Sequence, residues 1–88
     1  MILPEISRFL GIVITIYFND HNPPHFHVRY EDYRALVGIE PLELREGWLP
    51  PRVLGLVMEW GEMHQAELMR NWTTLAEEGI FKRIDPLV

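Results

Sequence analysis

The chain has 88 residues, a length that allows one hydrophobic core and no second domain. Its 48% apolar and 24% charged residues give a globular balance and exclude a disordered or fibrous chain. The absence of cysteine excludes disulfides, thiolate metal sites and thiol nucleophiles, and a formal charge of −5 opposes attraction to nucleic-acid phosphates.

Residues 1–8 lack the basic-then-apolar pattern of a signal peptide, and the apolar run 9–18 is too short to span a bilayer. A cytoplasmic protein with no membrane association is expected. Residues 9–18 are rich in β-branched and aromatic side chains and end at the turn formers 19–24, which predicts a first strand and its turn. This strand is apolar on both sides, with Phe9, Val13 and Tyr17 on one and Leu10, Ile12, Ile14 and Ile16 on the other.

Residues 25–30 alternate, so Phe26, Val28 and Tyr30 share one face while His25, His27 and Arg29 share the other. Glu31 and Asp32 close a hairpin into a third strand over 33–39, and residues 42–45 add a short fourth segment between Pro41 and Pro50-Pro51. From Pro51 to Glu78, Val53, Leu56, Val57, Trp60, His64, Leu68, Trp72 and Leu75 recur at helical spacing. Proline in the first turn and Gly79 past the end mark its start and stop.

The expected fold is therefore α+β: a small three- or four-stranded antiparallel meander followed by one long C-terminal helix, with Gly61 as its bend point. Such a helix would be about 42 Å long against strands of about 20 Å. One helix, overhanging the sheet, leaves the second apolar side of the first strand uncovered, so a homodimer or another protein partner is expected to cover it.

Three of the four histidines fall between Asp20 and His27. Imidazole is the commonest metal ligand and suits proton transfer near neutrality. His25 and His27 project from one strand face and can share an ion, a divalent metal such as zinc, with His21 or Asp20 as a third ligand. The alternative is a rigid turn that bonds its own backbone, with the histidines as polar residues on the strand.

Because the apolar face packs better, the histidine face is expected to lie opposite the helix, toward solvent or an interface. His64 lies on the helix's apolar stripe as a hydrogen-bonded core residue, or as a further ligand or base; Glu67, one turn on, could pair with it. Trp48, Trp60 and Trp72 read as core or interface anchors, and Arg29, Arg34, Arg45 and Arg52, scattered among acids, as surface rather than a nucleic-acid groove. No phosphate-cradling glycine loop, nucleophile elbow or metalloprotease motif is present.

Residues 4–9, the run from Tyr17 through Asn22-Pro23-Pro24-His25-Phe26-His27 to Tyr30, and Glu59, Trp60, His64, Asn71 and Trp72 resemble the bacterial domain of unknown function family 4160. The resemblance implies no established activity. It implies a stand-alone small protein with a second small protein encoded nearby, a two-gene module of toxin-antitoxin type. An interaction module, homodimeric or half of such a pair, is one functional reading. The other is a small metal- or histidine-dependent hydrolase or nuclease-like toxin built on Asp20, His21, His25 and His27.

Overall fold

A computed structural model describes residues 4–18 and 20–88; residues 1–3 and Asn19, the latter part of the expected turn, lie outside the described residues. The chain forms strands β1 (Glu5–Phe9), β2 (Ile12–Thr15), β3 (His25–Tyr30), β4 (Tyr33–Ile39) and β5 (Leu42–Gly47), then helices α1 (Pro51–Met63) and α2 (Gln65–Glu78). The strands make one antiparallel meander in the order β1-β2-β3-β4-β5. The α+β class is as expected; five strands and two helices replace the three or four strands and the single helix.

The added strand comes from a hairpin inside the run read as one strand. Phe9 pairs with Ile12, so Leu10 and Gly11 form a two-residue turn, with φ of 50° and 80°. Both angles are the positive ones that such tight hairpin turns require. Leu10 is unsuited to this conformation, which costs a side chain with a Cβ about 1–2 kcal/mol. Since Leu10 is 56% exposed, its side chain contributes little burial in return. Leu10→Asn is expected to raise stability by about 0.5–1 kcal/mol, seen as a higher urea midpoint with an unchanged slope.

The helical region has the expected limits, Pro51 at its start and Gly79, at φ 70°, after its end. Its break lies at His64 rather than Gly61. Gly61 is buried within α1, where a Cβ would press on Leu42 at 3.0 and 3.2 Å, so this glycine allows the helix to approach β5 rather than to bend. Past the break, Gln65 donates to the carbonyl of Ile39 at 2.6 Å and ties α2 to the end of β4. Two shorter helices can both lie on the sheet, which removes the expected overhang.

Trp60 is fully buried at the centre of the core, with Phe9 at 5.6 Å and Phe26 at 6.0 Å between ring centroids. Ile12, Ile14, Val28, Val37 and Ile39 from the sheet and Val57 and Leu68 from the helices complete it. Residues 80–88 hold no helix or strand but run back as a strap. Ile84 N–H donates to Ile6 O at 2.7 Å, Trp60 Nε1 to Asp85 O at 2.8 Å, and Asn71 Nδ2 to Lys82 O at 2.8 Å. Arg83 also reaches the Glu5 carbonyl and carboxylate, at 3.1 and 3.2 Å.

Most apolar side chains of residues 9–18 are sheltered within one chain, whereas Leu10, Tyr17 and Phe18 are exposed. Ile12, Ile14 and Ile16 are buried, and Phe9 packs on Trp60. Val13 is also buried, flanked in register by Arg8 and Arg29, whose methylene stems are suited to cover it. On the helix side, Ile12, Ile14 and Ile16 share the core with Leu68 and Leu75 of α2 and Ile84 of the strap, while a groove runs over Val13, Thr15 and Tyr17 on the other. No helix among the described residues is long and apolar enough to cross a membrane.

Candidate functional site

The loop from β2 to β3 carries Asp20, and β3 opens with His25. The two-residue period of a strand sets His25 and His27 side by side. Nε2 of each ring lies 2.9 Å from the same oxygen, Oδ2 of Asp20. Oδ1 of Asp20 accepts the His21 backbone N–H at 2.8 Å. One carboxylate oxygen is thus tied to the loop, while the other serves both imidazoles.

The protonation of His25 is constrained from behind. Its Nδ1 lies 2.9 Å from the Pro23 carbonyl, which can only accept, so Nδ1 carries the hydrogen. Nε2 then meets Asp20 either as a second N–H of an imidazolium or as a lone pair open to a cation. An imidazole whose far nitrogen donates to a backbone carbonyl is the arrangement found behind metal-bound histidines.

Burial works against charge on Asp20, but the bonds from His27, from the His21 N–H and from His25 together outweigh it. Its pKa lies below the ordinary aspartate value, so the carboxylate is ionised at neutral pH.

Nε2 of His25, Nε2 of His27 and the Asp20 oxygen lie within 4.8 Å of one another. Four-coordinate zinc, with bonds of about 2.0–2.1 Å, holds its ligand atoms roughly 3.3–3.4 Å apart. The two N···O separations of 2.9 Å would have to open by about half an ångström to receive such an ion.

The rings are fixed by aromatic neighbours. Tyr17 stacks on His27 at 4.0 Å and 16°, and Trp72 of α2 tilts over His25 at 5.1 Å. As expected, the histidine face lies opposite the one packed on the helices, with Phe26 and Val28 in the core beside Trp60 and His27 lining a surface groove. His25 is the exception to the expected exposure, since it is 6% exposed at the start of β3 and meets Trp72 of α2. His27 is half-buried. Tyr17 and Trp72 were missed as site residues. Tyr17 lies past the end of β2, where strand alternation no longer applies, and Trp72 lies on a stripe that nothing local distinguishes from ordinary core.

The remaining predicted residues fall elsewhere. His21 is exposed and only its backbone N–H enters the hydrogen bonding. His64 Nδ1 pairs with Glu67 Oε1 at 2.6 Å at the junction of the helices, against Trp60 at 5.5 Å between centroids, and neither belongs to the Asp20 group. Trp60 is core as expected, whereas Trp48 is 53% exposed.

The cluster opens into a cleft of about 220 Å³ lined by Asp20, His25, His27, Leu36, Arg45 and Glu46, among others. That is below the roughly 300–1,000 Å³ of drug-sized sites, so it suits an ion with a few-atom group. A roomier groove of about 370 Å³ shares only His27 of the three with it and runs over Thr15, Tyr17, Arg29 and Arg34.

Fold and cluster define a small α+β protein whose sheet carries a two-histidine, one-carboxylate centre at the start of a central strand. The family described as Domain of unknown function (DUF4160) matches residues 11–73, and the chain belongs to that family. The match holds Asp20, His25, His27, Tyr17 and Trp72, and leaves out residues 4–9, which the resemblance had included. No curated protein and no solved structure matched the chain.

Proposed function

We propose that the chain acts through Asp20, His25 and His27 as a divalent-metal centre of the hydrolase type. The observation that carries this is the His25 ring, held by Pro23 so that its Nε2 faces an ionised carboxylate and a second imidazole. Nitrogen and oxygen ligands without thiolate suit zinc, and three protein ligands leave a coordination position toward the cleft. When bound, such an ion acts as a Lewis acid and lowers the pKa of a coordinated water.

The direct test is equilibrium dialysis against zinc followed by metal analysis. The wild type should retain one equivalent and Asp20→Asn little or none. A wild type that binds no zinc, cobalt or manganese above background would rule the centre out.

A second function, an interaction module that is homodimeric or paired with a small protein encoded nearby, is supported by one feature. Tyr33 and Trp48 form an exposed aromatic pair, 5.0 Å between centroids, where β4 begins and β5 ends. Aromatic residues of this kind anchor interfaces. Sedimentation velocity should then give a dimer that Trp48→Ala converts to monomer; a wild-type monomer would rule out the homodimer.

A further inference from the structure

Arg45 occupies an unusual position. Leu36 pairs with Glu46 and Val37 with Leu44, which leaves Arg45 as the extra residue of a β-bulge in β5. Bulges of this kind re-aim a side chain and are over-represented beside active sites. Here the guanidinium lies over Gly38, where any Cβ would run into it. Gly38 is the β4 partner of His25, and paired residues of neighbouring strands point to the same side. The bulge and the glycine together therefore bring the arginine onto the face that holds His25 and His27.

The Arg45 side chain is only 20% exposed, and its Nε is buried with no hydrogen-bond partner among the described residues. Glu43, the nearest carboxylate, stands 3.9 Å away, beyond hydrogen-bond range, and faces mostly solvent. A buried donor without an acceptor costs about 1–3 kcal/mol, so a group that supplies one is favoured there. Arg45 and the three cluster residues line the same cleft.

We infer that the centre takes a small oxyanion, a phosphoryl or carboxylate group, with one oxygen on the metal and the others on the Arg45 guanidinium. The planar fork of arginine fits such groups through parallel N–H···O bonds. Asp20 and Glu46 both line the cleft, so without the ion the oxyanion would face two carboxylates there. Binding should therefore require the loaded protein. This inference rests on the proposed metal centre.

The test uses the cobalt(II)-loaded protein, whose visible spectrum reports a change of ligand at the ion. Methylphosphonate and acetate are titrated in separate arms, which distinguish a phosphoryl from a carboxylate ligand. One or both should shift the spectrum of the wild type at millimolar concentration or below. Arg45→Met should keep one equivalent of cobalt while losing about 10- to 100-fold in anion affinity.

Gly38→Ala, which displaces the guanidinium without removing it, should weaken the anion in the same direction. A loaded wild type that binds neither anion, or an Arg45→Met protein that binds as well as the wild type, would overturn the inference and leave the metal centre standing. Failure of the wild type to take up cobalt would overturn both.

Discussion

Trp60→Ala should lower stability by about 3–5 kcal/mol, the range for deleting a fully buried tryptophan. At about 0.05–0.15 kcal/mol of stability per residue, a domain of this size holds about 4–13 kcal/mol, so the loss takes from about a quarter to all of the reserve. Trp60 joins three parts of the chain: Phe9 from β1, Phe26 from β3, and Asp85 of the strap, whose carbonyl accepts its Nε1–H at 2.8 Å. Truncation to alanine leaves a cavity among groups that cannot all move in, and it orphans a carbonyl.

Trp60→Phe keeps a ring but loses the hydrogen bond and some volume, and should cost about 1–2 kcal/mol. Urea unfolding followed by circular dichroism measures both. A Trp60→Ala protein within about 1 kcal/mol of the wild type would show that the strap and core are not joined through this residue.

His25→Ala should reduce zinc affinity by at least about 100-fold, since loss of a whole ligand exceeds the 10- to 100-fold cost of losing one that only orients it. His21→Ala should leave affinity unchanged, because that residue contributes a backbone N–H that alanine retains. Competition against a chromogenic chelator reads both. Equal losses in the two variants, or none in either, would remove His25 from the centre. His25→Ala also opens space under Trp72, so metal affinity should be compared after near-ultraviolet circular dichroism shows retained packing.

Much of this architecture is readable in the chain because local rules and tertiary demands agree. The alternation over 25–30 survives because β3 is central and has one face against the helices. Pro51 and Gly79 delimit the helices because the first supplies a helical φ without a missed donor and the second relaxes into φ 70°.

Agreement fails at Leu10, where a leucine occupies a turn conformation that sequence assigns to glycine or asparagine, and β1 went unseen as a result. It fails again at Gly61, a helix-breaking residue kept for a close approach to Leu42, while the break fell on His64, whose identity gives no such signal. In the site, Asp20, His25 and His27 were readable from spacing. Arg45 was not: its bulge is a property of strand pairing, invisible until Leu36 and Val37 are seen to pair across it.

The strap has a kinetic consequence. Its bond from Arg83 to Glu5 joins residues 78 apart, whereas three of the four strand connections, β1–β2, β3–β4 and β4–β5, close over two-residue turns. Chain-closure entropy makes such distant contacts slow to form, so the meander is expected to assemble first and the strap to dock after the rate-limiting step. Contacts made that late govern how long the native state lasts rather than how fast it is reached. Weakening the strap should therefore steepen the escape from the folded basin while leaving the refolding limb of the chevron where it was.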